Sequence, residues 1–254
     1  MEPILKVENL TKVFSRSGQE DFTAVNSISF SLNPGECLGI IGESGSGKTT
    51  AVNMITRLLD ATSGNIVLDG MDVTHLKGKE LRKVYRKMQM VFQTPTDSFD
   101  PRRTLGDGIG ESLRNIGMSR KETREEVERL LGKCGLPADF ADRYPHQVSG
   151  GQCQRAAIAR ALAVKPRLLI CDEATSALDV TVQKEILELL NELRSQQGNS
   201  LSILFICHDI SLVQQFCDRV VVMHHGSIVE EGVPDTVIGY PQNAYTKRLI
   251  DSVL

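Results

Sequence analysis

Residues 37 to 59 read CLGIIGESGSGKTTAVNMITRLL, and the reading of this stretch decides the fold. Cys37 to Ile41 is a near-continuous apolar run, the pattern of a strand buried on both faces. Gly42, Glu43, Ser44, Gly45, Ser46, Gly47, Lys48 and Thr49 then match GxxxxGK[ST], with Thr50 following. Val52, Ile55, Leu58 and Leu59 recur at helical spacing after the loop. Strand, glycine-rich loop and helix in this order make a seat for a polyphosphate. Glycines let backbone N–H groups curl around an anion, and the helix N-terminus adds partial positive charge. Lys48 is placed to reach the β- and γ-phosphates, and the Thr49 hydroxyl to bind Mg²⁺. A Gly/Ser-rich connector that happens to carry a lysine is the plain alternative, and the flanking strand and helix speak against it.

Outward from this stretch, two more apolar runs, Arg167 to Cys171 (RLLIC) and Ser202 to Cys207 (SILFIC), predict further buried strands. Alternating with helical patterns, they indicate an α/β fold with a parallel core sheet. The first 35 residues differ, because ILKVENLTKVF and AVNSISFSLNPGE show the partial alternation of antiparallel strands around a polar loop from Ser15 to Asp21. Ser119 to Gly132, SRKETREEVERLLG, is charged on one face with Val127, Leu130 and Leu131 on the other, which predicts an amphipathic helix. A single domain is expected, with its core at about 1–98 and 165–254 and a mostly helical insert at about 99–164.

The chain has 254 residues, 29 Lys plus Arg against 32 Asp plus Glu, and a net charge of -3. That balance lacks the basic excess that polyanion binding requires, so nucleic acid is not expected as a partner. The longest apolar runs fall far short of the ~20 residues of a membrane span. The start, MEPILKVENL, lacks a basic segment followed by a long apolar one, so a cytoplasmic protein is expected. Cysteines at 37, 134, 153, 171, 207 and 217 form no CxxC pair or zinc spacing and read as buried structural thiols.

Four further motifs carry chemistry. In VSGGQCQR, Val148 to Arg155, Ser149 followed by Gln152 is a capping box opening a good helix with no proline until Pro166. Gly150 and Gly151 leave backbone N–H groups bare at that helix start, a second phosphate site. LLICDEATSALD, Leu168 to Asp179, ends a buried strand on Asp172, where a carboxylate can hold Mg²⁺ through water, and Glu173 is placed to polarise an attacking water. His208 ends the SILFIC strand and Gln93 follows the apolar strand MQMVF. His75, His146, His224 and His225 lack such context and read as solvated or structural.

These motifs, in this order, resemble the ATP-binding cassette family, whose signature is LSGGQ; Val148 stands here for its Leu. The resemblance implies a P-loop NTPase (RecA-like) core with a parallel sheet, an N-terminal antiparallel β subdomain and a helical insert. It implies that the signature of one subunit, Ser149, Gly150, Gly151 and Gln152, closes on ATP held by the P-loop of another. It implies a D-loop at Ser176 to Asp179 and a switch histidine at His208 contacting the γ-phosphate, although Cys207 replaces the usual Thr or Ser. Gln93 matches the Q-loop glutamine near Mg²⁺ and water, and Phe14 the aromatic that stacks on adenine, with Phe22 as its rival. The run TPTDSFDPRRTL resembles SxNPRxT of the peptide and nickel importer group, with Asp100 for Asn. PQNAYTKRLIDSVL resembles that group's P-x-x-YT-x-x-L tail at Pro241, Tyr245, Thr246 and Leu249, with one residue more between Pro241 and Tyr245. The resemblance implies the short form, in which the cysteine-bearing C-terminal region of longer members is not expected.

The resemblance further implies a Mg²⁺-dependent ATPase at the cytoplasmic face of the membrane. It would work with two transmembrane permease subunits, a second ATPase subunit (identical or a sister chain) and, indirectly, an extracytoplasmic solute-binding protein. The alternative, a soluble cassette protein acting on nucleic acid or the ribosome, lacks support here: no coiled-coil insertion, zinc cysteines or second cassette is read. A regulatory subunit with a dead site is disfavoured because every catalytic position is filled.

Overall fold

The computed structural model describes residues 2–15, 20–94, 98–174, 178–195 and 201–252. The chain packs as two units, one of Met1–Tyr85 with Ser200–Leu254, the other of Arg86–Asn199.

In the first unit, β1 (Leu5–Phe14) pairs antiparallel with β2 (Phe22–Leu32) and β4 (Ser63–Leu68), and β4 with the short β5 (Met71–Asp72). Leu5, Val7 and Leu10 of β1 and Val25, Ile28, Phe30 and Leu32 of β2 are buried, the alternation read from the sequence. The parallel strands come next. β3 (Cys37–Ile41) lies between β8 (Ser202–Ile206) and β9 (Arg219–His224), parallel to both, and β10 (Ser227–Gly232) returns antiparallel to β9. All five residues of β3 and of β8 are buried, which is why neither carries a polar alternation.

Around these strands lie α1 (Lys48–Ile55), α7 (Ile210–Phe216), α8 (Pro234–Gly239) and α9 (Ala244–Asp251), with α2 (Gly78–Lys87) running into the second unit. A side chain at Gly39 would bring its Cβ to 2.9 Å from Val213 Cγ1, so α7 packs on β3 only because that position is glycine. The helix after the glycine-rich loop is shorter than its periodicity predicts. Arg57 takes a left-handed φ of 61°, its N–H turns back to the Met54 carbonyl, and Leu58 points to solvent.

In the second unit, β6 (Met88–Val91) runs parallel to β7 (Leu168–Asp172), with Val91 opposite Cys171. Between residues 99 and 164 every described regular element is helical: α3 (Leu105–Asn115), α4 (Arg120–Lys133), two short 3-10 turns and α5 (Gly150–Leu162). α6 (Val180–Ser195) follows β7. Ser119 caps α4 through a reciprocal pair with Glu122, and Val127, Leu130 and Leu131 are its buried face, as the amphipathic pattern predicts. Fully burying each such side chain contributes about 1.5–3 kcal/mol.

All six cysteines are buried and none is joined in a disulfide. Burial pushes the Cys134 thiol up to about 12 and that of Cys153 to about 11, so both stay protonated at neutral pH and pack as apolar groups. Among the described residues no helix is long and apolar enough to cross a membrane.

Candidate functional site

In the first unit the chemistry lies at the C-terminal ends of the parallel strands, where ligands of such sheets bind. Two of the loop's glycines are required by its shape. A Cβ added at Gly42, where φ is 148°, would stand 2.2 Å from the Met223 carbonyl oxygen, and one at Gly47, where φ is 104°, would stand 2.6 Å from that of Ala24. Any other residue would push the loop off the β9 end. α1 then begins at Lys48 with no side-chain cap on Gly47 and no acid in its first turn, an N-terminus left to an anion.

Lys48 is 6% exposed, rare for a lysine, and its Nζ donates to the Gly42 carbonyl at 2.7 Å, the Glu43 carbonyl at 2.9 Å and Ser46 Oγ at 3.4 Å. The ammonium is therefore held over the loop it would serve. Ser44, Gly45 and Thr49 form the exposed rim and Thr50 is half-buried. His208 follows β8, the parallel neighbour of β3, and is exposed; Asp209 beside it caps α7 by accepting from Ser211 and Leu212. Phe14 ends β1, directly opposite Phe22 in the register, so the expected adenine platform and its rival share one edge. Lys12 Nζ lies 5.1 Å from the Phe14 ring centroid.

In the second unit, Gln93 follows β6 and Asp172 ends β7, its parallel neighbour, so the two come out at the same edge. Both line a cleft of about 540 Å³ together with Phe92, Thr94, Ser98 and Arg160. Arg160, from α5, hydrogen-bonds the Ser98 carbonyl and lies over the Phe99 ring at 4.8 Å, fastening these two residues to the helix that starts at the signature. Sequence reading did not single out Arg160, since an arginine in a helix carries no local mark of such a contact. Glu173 is half-buried with a left-handed φ of 49°, uncommon for a non-glycine residue and a mark of a residue held in place by its surroundings.

The signature capping box is present. Ser149 Oγ accepts from the Gln152 N–H at 3.3 Å and Gln152 Oε1 from the Ser149 N–H at 2.9 Å. The two glycines differ: a Cβ on Gly151 would meet Val182 of α6 at 2.5 Å, whereas one on Gly150 would make only an ordinary contact with Leu178. Gly151 is thus needed for packing, and Gly150 is the exposed one. Asp179 uses its carboxylate to cap α6, accepting from the Val182 N–H at 3.0 Å. Ser176, the start of the expected D-loop, lies outside the described residues.

Each unit carries donors of its own. In the first, the loop offers a helix N-terminus, a buried ammonium and the Thr49 hydroxyl, groups that suit a polyphosphate. In the second, Gln93 and Asp172 offer oxygens, the hard kind of ligand Mg²⁺ takes. No group of three His, Cys, Asp or Glu able to hold a metal occurs among the described residues, and Mg²⁺ needs none, since phosphate oxygens and waters fill most of its sphere.

A family profile described as ABC transporter matches residues 25–176. A probable peptide ABC transporter ATP-binding protein of Sinorhizobium fredii is 43% identical over 98% of this chain and 72% of its own length. The oligopeptide transport ATP-binding protein OppF of Salmonella typhimurium is 44% identical over 91% and 69%. Among solved structures, cbiO1 from Clostridium perfringens, part of the ABC transporter complex cbiONQ, matches with a TM-score of 0.83 at 30% identity, covering 94% of this chain and 92% of that one. A dimeric ATP-binding cassette in a post-hydrolysis state, bound to ADP and Pi, matches at 0.81 and 32%, covering 91% and 98%.

Proposed function

The chain belongs to the ABC transporter family, as an ATP-hydrolysing cassette, and we propose that it powers an importer of peptides or peptide-like solutes from the cytoplasmic face of the membrane. The observation that carries the catalytic part is Lys48, an almost fully buried ammonium held by the carbonyls of its own glycine loop at the end of β3. A charge kept buried by such hydrogen bonds, beside a helix N-terminus without a side-chain cap, is suited to phosphate oxygens. The solute class rests on relatives named for peptide and oligopeptide transport.

The roles follow from the donors. The N–H groups at the start of α1 and Lys48 bind the β- and γ-phosphates, and Phe14 stacks on the base. Thr49, Gln93 and Asp172 hold Mg²⁺, which when bound neutralises charge on the phosphate oxygens. Glu173 takes the proton of the attacking water, and His208 hydrogen-bonds the γ-phosphate. Ser149 and the exposed Gly150 N–H, at the start of α5, supply donors to the nucleotide of a second ATPase subunit, the same chain or a sister, so that ATP closes the pair and hydrolysis releases it. The dimeric relative with ADP and Pi supports this arrangement. Motion would pass to two transmembrane permease subunits through the segment that Arg160 ties to α5, and a solute-binding protein outside the membrane would deliver the cargo.

Co-purification from detergent-solubilised membranes tests the proposal, followed by uptake assays with short peptides and with nickel chelates. Recovery of permease chains and ATP-dependent peptide uptake is expected; recovery of no membrane protein would contradict the transport role.

A further inference from the structure

The chain's last helix reaches the phosphate loop. Tyr245, in the first turn of α9, accepts a hydrogen bond on its phenolic oxygen from the backbone N–H of Glu43 at 3.0 Å. The other side of the same residue is also held: the Glu43 carbonyl accepts from Lys48 Nζ at 2.9 Å and from the Ser46 N–H at 3.1 Å. Glu43 is thus a fixed corner of the loop although its residue is exposed, with its N–H given to the tail and its C=O to the lysine. A second anchor, the Gly226 N–H on the Ser46 carbonyl at 2.9 Å, comes from the β9–β10 turn.

The tail is built to deliver the phenol there. The Glu230 carboxylate on β10 accepts the N–H groups of Gln242 and Asn243 at 2.8 and 3.1 Å. The Asn243 side chain then caps α9 by accepting the Tyr245 N–H at 2.8 Å. The Tyr245 ring, 5% exposed, stacks on the His224 ring with centroids 3.7 Å apart. A buried side chain held by a cap, a carboxylate clamp and a ring stack has little rotamer freedom, so its hydroxyl is a defined point.

The geometry points to Tyr245 as a positioning residue for nucleotide binding: its hydroxyl fixes the planar Gly42–Glu43 peptide, whose Gly42 carbonyl accepts from Lys48 Nζ, and thereby the resting place of Lys48. This rests on the reading of Gly42–Thr49 as the nucleotide's phosphate seat.

The test is Tyr245→Phe, which keeps the ring stack and removes only the hydroxyl, in the full chain. Loss of one such hydrogen bond, about 1 kcal/mol, corresponds to roughly five-fold. The expected result is a KM and Kd for ATP raised about five-fold with kcat within two-fold, and faster amide hydrogen exchange at Glu43. Leu5→Ala, a core change in β1, is expected to lower the unfolding midpoint without moving KM, which separates positioning from stability. Unchanged KM and unchanged Glu43 exchange in Tyr245→Phe, alongside lost nucleotide binding in Lys48→Ala, would overturn the role of Tyr245. Unimpaired nucleotide binding in Lys48→Ala would overturn the phosphate-seat reading itself.

Discussion

The ammonium of Lys48 sits 2.7 Å from the carbonyl oxygen of Gly42, six residues earlier, so the lysine is parked on the backbone of its own loop. A nucleotide's phosphate oxygens would meet this ammonium already held over the loop. Charge-assisted hydrogen bonds of this kind contribute about 1.5–3 kcal/mol, so Lys48→Ala is expected to weaken ATP about 10- to 150-fold in an equilibrium titration.

Gly47→Ala tests the loop's shape. At φ 104°, with its Cβ 2.6 Å from the Ala24 carbonyl oxygen, an alanine must move the backbone. A destabilisation of about 1–3 kcal/mol is expected. Thermal unfolding should show a lowered midpoint that ATP no longer raises, whereas in the unaltered chain ATP raises it.

Ser149→Ala separates capping from catalysis. Losing the cap of α5 should lower stability by about 1 kcal/mol, while ATP affinity of the isolated chain stays within two-fold because the phosphate seat lies elsewhere in the sequence. Turnover should fall well beyond what the stability loss explains if Ser149 serves the partner's nucleotide as proposed. Turnover tracking stability alone would remove Ser149 from the site.

The phosphate loop was legible because its requirement is local: left-handed φ at Gly42 and Gly47, and a lysine next to a helix start, all fall within eight residues. The signature cap was legible for the same reason, since Ser149 and Gln152 satisfy each other across three residues. The end of α1 was not, because helical spacing at Leu58 and Leu59 says nothing about the left-handed turn at Arg57. Nor was the tail's role: Tyr245 and Glu43 are 202 positions apart, and no periodicity records such a contact. The spacing of Pro241, Tyr245, Thr246 and Leu249 gains a physical reading only with Glu230 clamping Gln242 and Asn243 and with Thr246 and Leu249 buried.

Docking of that tail should depend on acid. Burial alone would raise the Glu230 carboxyl, but the Gln242 N–H, the Thr246 side chain and the Asn243 N–H together outweigh it and hold the group below its ordinary 4.5. A carboxyl depressed in the folded chain adds its full stability above the unfolded value and loses it as pH falls through the lower folded one. The unfolding midpoint of the unaltered chain should therefore drop more steeply below pH 4.5 than that of Glu230→Gln, which should start lower at pH 7. Parallel pH profiles would show that this carboxylate does not hold α9.

The most direct measurement is phosphate release by Glu173→Gln in the presence of Mg²⁺ and ATP, with the oligomeric state read by size exclusion in the same solution. If Glu173 is the base of an ATPase that works as a pair, turnover falls by at least about 100-fold, ATP stays bound, and the chain elutes as a closed dimer with itself or its sister subunit. Undiminished phosphate release from Glu173→Gln would contradict it.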